Sequence, residues 1–228
     1  MLAQPAIDTS LRPFEAVKAI RLLFGNPEDT RQIFVIFRAM RGRSGLRAFR
    51  RFAATNTGAA VLRERRCLLD ALQDRASLAG LPPGSFGRAY FEFMKDQNLS
   101  ADGLVQASQD WEREPLPPDM ELFRQRMRDA HDLTHILTGY GRDPLGEICL
   151  LAFMYAHTRN LGMAMIVAMG LPRLPPAGRG AVVEAWRNGR KARWLQDLDF
   201  EALLPRKLET IRREIGIAEP VRYLAVAP

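Results

Sequence analysis

The chain is short of cysteine, histidine and lysine, and it has no long uninterrupted apolar run. It holds two cysteines in 228 residues, Cys67 and Cys149. Both stand in apolar helical contexts without a CxxC or paired spacing, which excludes a disulfide framework and fits buried thiols in a reducing compartment. The longest apolar region, 148–171, carries His157, Thr158, Arg159 and Asn160 at its centre, and its uninterrupted end, 161–171, is too short to cross a bilayer. The opening residues Met1-Leu2-Ala3-Gln4-Pro5, followed by Asp8, have neither a charged segment before an apolar core nor an arginine-rich, acid-poor transit pattern. No export or import signal is expected, and the cytoplasmic side is the default. Alternating β-branched runs bounded by turn pairs are missing as well, so strands are not expected.

Almost half of the residues are apolar, at 47%, and they recur at three and four positions through most of the chain. This pattern predicts an all-α fold, with residues 1–228 forming one multi-helix domain around one substantial core. Helices are expected over 13–24, 29–40, 46–54, 58–76, 99–107, 120–138, 144–169, 181–197 and 200–215, with one more through Tyr90, Phe91 and Phe93 capped by Ser85. Residues 115–118 read as a turn and 172–180 as a loop.

The formal charge of +7 and pI near 10.0 come from arginine. Arg38, Arg41, Arg43, Arg47, Arg50, Arg51, Arg63, Arg65 and Arg66 form one basic region in which Glu64 is the opposing charge. Arg187, Arg190, Lys191 and Arg193, between Trp186 and Trp194, form a second. Such patches attract phosphates of lipid headgroups, nucleic acid or a phosphorylated ligand, or are simply solvated. Nucleic acid is not the expected partner, because no helix-turn-helix, finger or RNA-binding signature accompanies the charge.

Two of the three histidines fall in one five-residue window, His131-Asp132-Leu133-Thr134-His135, and Glu147 follows. On a helix His131 and His135 lie at i and i+4, and Asp132 and His135 at i and i+3, so the three share a patch. Gly139, Gly141 and Asp143-Pro144 then interrupt the pattern, with Asp143 as cap and Pro144 at the first position of a new helix. An antiparallel return would bring Glu147 back to the histidines, so that a metal site forms between two consecutive antiparallel helices. Imidazole and carboxylate ligands suit divalent zinc, iron, manganese or cobalt. A salt-bridged solvated helix face is the plainer alternative for these residues. A hydrolase of the His-Glu-x-x-His kind ranks well below, since Asp132 is one methylene shorter than that glutamate. Met154, Leu161, Met163, Met165 and Met169 are ordinary core candidates that can also line an adaptable pocket for an apolar ligand.

The stretch Arg128-Asp129-Ala130-His131-Asp132-Leu133-Thr134-His135-Ile136-Leu137-Thr138-Gly139-Tyr140, with Leu145-Gly146-Glu147, resembles the signature of the Coq-four family of ubiquinone (coenzyme Q) biosynthesis proteins. Leu81-Pro82-Pro83-Gly84-Ser85-Phe86-Gly87-Arg88-Ala89-Tyr90 upstream resembles it too, as do Ala185-Trp186-Arg187-Asn188-Gly189-Arg190 and 208–217 downstream. The resemblance spans about 58–220. It implies an all-helical, membrane-peripheral factor that holds a divalent metal, zinc by the family's habit, through His131, Asp132, His135 and Glu147. It further implies a lyase-type role, in which the ring-carbon-one carboxyl of a polyprenylated 4-hydroxybenzoate is removed and replaced by hydroxyl. The alternative is a non-catalytic scaffold that presents the quinone precursor and organises the biosynthetic enzymes. Expected partners are the polyprenylated aromatic lipid, the anionic surface of a bacterial-type inner membrane on its cytoplasmic face, other ubiquinone-biosynthesis proteins and a second copy of the chain as a homodimer. Two positions depart from the family pattern: Leu161-Gly162-Met163 stands in place of a Leu-Pro-Met-like segment, and His157 in place of glutamine.

Overall fold

A computed structural model describes residues 8–26, 29, 31–101 and 116–225. Its α-helices in chain order are α1 (Pro13–Gly25), α2 (Arg31–Ala39), α3 (Ser44–Ala53), α4 (Asn56–Glu64), α5 (Leu68–Gln73), α6 (Arg75–Gly80), α7 (Phe86–Asp96), α8 (Pro118–Asp129), α9 (His131–Thr138), α10 (Pro144–Thr158), α11 (Leu161–Gly170), α12 (Pro176–Lys191), α13 (Phe200–Leu203) and α14 (Leu208–Ile215). Among the described residues the only β pairing is an isolated bridge between Ser85 and Lys207, so the all-α expectation is met. No helix there is long and apolar enough to cross a membrane.

Several expected helices are broken, each for a local reason. The segment expected over 58–76 starts earlier, at Asn56, because Thr55 Oγ1 accepts from the Gly58 amide at 2.9 Å. It stops at Arg65, which turns left-handed at φ 56°. The segment over 120–138 is interrupted at Ala130 (φ −76°, ψ −1°), which ends α8 and begins α9. The long apolar segment over 144–169 is cut by Arg159 at φ 55° and restarted by Asn160, whose Oδ1 accepts from Gly162 N at 2.7 Å. The 172–180 loop is a 3-10 turn (Leu171–Arg173) and then the first turn of α12. Pro176 reads as a breaker in sequence, but a proline is well placed at the first helical position, where no amide partner is lost. Most of the helix expected over 99–107, and Pro115 of the expected turn, lie outside the described residues.

The helices enclose three apolar clusters. The largest joins α5–α7, α9, α10, α12 and α14 around Phe86, Tyr90, Leu133, Leu137, Cys149, Phe153, Ala181, Ala185, Leu195 and Ile211. A second holds α1, α2 and α11 together through Ala16, Ile20, Ile36 and Ile166. The third seats Phe52 and Phe123 with Val61 and Trp194 beneath α3, α4 and α8. Helices α10 and α12 pack so closely that a Cβ on Gly189 would lie 2.4 Å from the Phe153 carbonyl oxygen. Likewise Gly162 lets α11 approach the Ile36 carbonyl of α2, where a Cβ would sit 2.8 Å away. That contact gives Gly162 a packing reason.

The basic region over 38–66 is less bare than its sequence suggests. Arg38 meets Glu15 at 3.2 Å, Arg65 meets Asp119 at 2.8 Å and Arg66 meets Asp199 at 2.9 Å, all with partners remote in sequence.

Candidate metal centre

Helix α9 is only eight residues long and is held by its surroundings. Its C-terminus closes on Gly139 at φ 76°, and Arg212 of α14 donates to the carbonyls of Leu137 (3.0 Å) and Ile136 (2.8 Å), two acceptors that a helix end leaves unpaired. The chain then reverses through 139–143. Asp143 Oδ1 caps α10 by accepting from the amides of Leu145 and Gly146, both at 3.2 Å, and Pro144 opens that helix. The turn lies hard against α10: a Cβ on Gly146 would be 2.1 Å from the Gly141 carbonyl oxygen. Tyr223 braces the outside, its hydroxyl donating to Asp143 Oδ2 and accepting from Gly141 N at 2.9 Å, while its ring meets that of Tyr140 edge-on at 5.5 Å.

This reversal brings Glu147 back over α9. Glu147 Oε1 lies 3.5 Å from His135 Nε2, and His131 Nε2 lies 3.2 Å from the same atom. Ligand atoms of His131, Asp132 and His135 fall within 4.8 Å of one another. His131, Asp132 and His135 thus form one group, and Glu147 joins it through His135; the Asp132 and His135 side chains are buried, while His131 and Glu147 are partly exposed. A cation bound among them would be walled by protein on one side and open on the other.

The hydrogen bonding selects the tautomer that a cation requires. His135 Nδ1 lies 2.9 Å from the Tyr140 carbonyl oxygen; a carbonyl only accepts, so Nδ1 carries the proton. Neutral His135 then turns its Nε2 lone pair toward His131 Nε2 and the Glu147 carboxylate. Two further electron-rich groups thus stand beside that lone pair, with the other ring nitrogen anchored as histidine ligands usually are. The donor set and its support fit a divalent cation. Phe93 of α7 stacks on the His135 ring at 6.1 Å and closes the inner side.

Electrostatics agree with this arrangement. Burial drives the His131 imidazolium down, and the neighbouring His135 adds to the effect. Burial also opposes charge on His135, but the hydrogen bond and charge of Glu147 outweigh it and raise that group above its ordinary value. Burial pushes the Glu147 carboxyl up, while the two histidines more than compensate and hold it ionised below its usual range. A proton and a metal ion therefore compete for one position.

Three residues around the site were not singled out from the sequence. Arg142, exposed in the turn between the helices, exerts its charge on both His131 and Glu147; its position between Gly141 and Asp143 was the available signal. Tyr223 and Arg212 carried no local signal, because their roles depend on where the C-terminal segment docks.

The five apolar pocket candidates do not gather at this centre. Met154 packs against the largest cluster, while Met165 and Met169 pack against the second with α1 and α2. The Met163 sulfur accepts from the Thr158 hydroxyl at 3.3 Å, and Leu161 is exposed.

Residues 16–221 match the family described as Coenzyme Q (ubiquinone) biosynthesis protein Coq4. The match reaches further toward the N-terminus than the 58–220 expected. Three ubiquinone biosynthesis proteins, each designated mitochondrial, are similar over about 170 residues. The cattle (Bos taurus) protein is 31% identical over 72% of this chain and 62% of its own length. The zebrafish (Danio rerio) homologue is 28% identical over 72% and 60%. The human (Homo sapiens) homologue is 29% identical over 73% and 63%. The chain thus matches a little under two thirds of the length of these relatives. A crystal structure of a candidate ubiquinone biosynthesis protein from Nostoc punctiforme shares the fold, with a TM-score of 0.67 at 20% identity over 91% of this chain and 99% of that one. On the strength of the match over 16–221, this chain belongs to the Coq4 family of coenzyme Q (ubiquinone) biosynthesis proteins.

Proposed function

We propose that this protein acts in ubiquinone biosynthesis by replacing the ring-carbon-one carboxyl of a polyprenylated 4-hydroxybenzoate with hydroxyl at a membrane surface, and that His131, Asp132, His135 and Glu147 hold the divalent cation this requires. The observation that carries the reading is that His131 Nε2 and Glu147 Oε1 lie 3.2 Å and 3.5 Å from His135 Nε2, with Nδ1 of His135 engaged by the Tyr140 carbonyl. Zinc is the first expectation, with iron, cobalt and manganese suited to the same donors.

A bound cation would supply Lewis-acid polarisation of the substrate's oxygens and, if redox-active, access to oxygen chemistry. The protein's own residues do the rest. Arg142 stands at the open side and is the group to pair with the substrate carboxylate before carbon dioxide leaves. Phe93 and the buried face of α9 keep water from the inner side. Glu147, ionised and partly exposed, can take the proton of the incoming hydroxyl oxygen. With water as the source of that oxygen, the carboxyl leaves as carbon dioxide and two electrons are released, for which dioxygen, reduced to hydrogen peroxide, is the proposed acceptor. The long prenyl tail draws the substrate from a bilayer, so the site must work beside one.

A second reading is favoured by the position of the centre at the joint of α9 and α10, where a cation would fasten two helices and the protein would present the precursor to partner enzymes without reacting it. Purified protein, assayed for metal content and then incubated with a polyprenylated 4-hydroxybenzoate under air, separates the two. Turnover supports catalysis, and binding without turnover supports presentation. Stoichiometric metal that is retained in both His131→Ala and Glu147→Ala would sink the ligand assignment.

A further inference from the structure

A second site lies at the far end of α10. Glu147 is in its first turn and His157 in its last, ten residues on, or about 15 Å along the axis. There Arg51 of α3, Arg159 and Arg190, with Ala156, His157, Gly189, Ala192 and Trp194, line a cleft of about 340 Å³. None of the three guanidinium groups has a carboxylate within ion-pair reach among the described residues, in contrast to Arg38, Arg65 and Arg66. Arg159 also stands 5.9 Å from the Tyr155 ring and Arg190 4.9 Å from the Trp186 ring, and three cationic residues lining one cleft favour an anion there.

The cleft is also built. The Arg51 guanidinium carbon lies 4.1 Å from the centre of the Trp194 ring, a cation–π contact that holds the side chain at the cleft. Trp194 is buried, and its indole N–H donates to the His157 carbonyl at 3.2 Å, tying the far side of the cleft to the end of α10. The His157 ring stacks on Phe153 at 5.0 Å, and its Nε2 is a buried polar atom without a partner. Such atoms are rare because each costs desolvation without return. Arg159 adopts its left-handed conformation at this point, a backbone state that costs a non-glycine residue free energy.

We infer that this cleft binds a phosphoryl group beside His157, the planar guanidinium forks of Arg51, Arg159 and Arg190 taking its oxygens. Arginine forks match phosphate geometry with paired N–H donors. The group can belong to a soluble phosphate ester or to a lipid headgroup, and the cleft recognises the shared chemistry.

Calorimetric titration of the whole chain with inorganic phosphate and pyrophosphate tests this, joined to NMR of the His157 ring. Saturable binding is expected, weakened at least about tenfold by Arg159→Gln or by Arg51→Gln with Arg190→Gln, together with a moved His157 resonance in the unsubstituted chain. The Arg159→Gln change is at an exposed position and keeps the assay informative if the double variant folds poorly. Arg43→Gln, on the same basic region outside the cleft, should leave the affinity unchanged. Phosphatidic acid vesicles that compete with pyrophosphate, where phosphatidylcholine vesicles do not, would identify a lipid phosphate; competition by neither would identify a soluble one. No saturable binding to about 10 mM phosphate or pyrophosphate would overturn the inference, and so would equal loss in Arg43→Gln, which would reveal a diffuse field and no site.

Discussion

His157 is the chain's third histidine, and its ring is held neutral. Burial, with the nearby Arg51 charge, lowers its pKa from 6.5 to about 4. Because the folded value lies below the unfolded one, the unfolded chain takes up a proton first as pH falls. Stability is therefore full above pH 6.5 and is lost progressively as the pH drops toward 4. The loss is on the order of 2 kcal/mol once the partial exposure of the ring is allowed for. Urea unfolding of His157→Gln, which cannot titrate there, should run flatter than the parent between pH 6.5 and 4. Parallel curves would show that His157 does not carry the dependence. At the same scale, the pairing of His131 with His135 was legible because the i, i+4 rule needs only a helix. The tautomer was not, because it depends on the Tyr140 carbonyl beyond a turn whose geometry the residues only hint at.

At the scale of elements, the reversal between α9 and α10 decides whether Glu147 reaches the histidines. Its pieces were readable: Gly139 as the left-handed end, Asp143 as cap and Pro144 as opener all have the roles their chemistry predicts. Gly146 was visible only as a letter between Leu145 and Glu147, whereas the fold uses its missing side chain to let the Gly141 carbonyl rest against α10. The obstructing atom is backbone, so Gly146→Ala must open the turn at a cost of about 1–3 kcal/mol, or roughly 4–8 °C of Tm for a 2 kcal/mol loss in a chain of this size. Metal affinity should fall with it, as Glu147 is carried away from His135. Calorimetry paired with metal analysis checks this, and an alanine variant that kept both Tm and affinity would mean the turn is not tight. The breaks at Ala130 and Arg159 were illegible for the opposite reason. Neither residue is a breaker by propensity; at Ala130 the chain passes from the third cluster to the largest, and at Arg159 from the largest to the second.

For the molecule as a whole, the net charge of +7 matters through its distribution. Long-range pairs neutralise Arg38, Arg65 and Arg66, but Arg43, Arg47, Arg50 and Arg51 remain exposed on and beside α3 without acidic partners among the described residues. They are spaced by four, three and one positions, which sets them on one side of the helix. Elsewhere α1 presents Phe14, which is 91% exposed, and Leu22 on the same face as Lys18 and Arg21, the mixture of apolar and cationic side chains that suits a bilayer interface. A protein that takes a prenylated substrate from a membrane would use both. Each arginine near an anionic surface contributes about 1 kcal/mol, so Arg43→Gln, Arg47→Gln and Arg50→Gln together should weaken binding to vesicles rich in phosphatidylserine by roughly a hundredfold. Raising the salt should reproduce that loss, since counter-ions screen exposed charge. Phe14→Ser, by contrast, should weaken association with charged and neutral vesicles alike, because the apolar contribution does not depend on headgroup charge. Sedimentation with liposomes of both compositions separates the effects. If the triple variant bound phosphatidylserine vesicles as tightly as the parent, the α3 arginines would be a solvated face and α1 alone would carry the membrane contact.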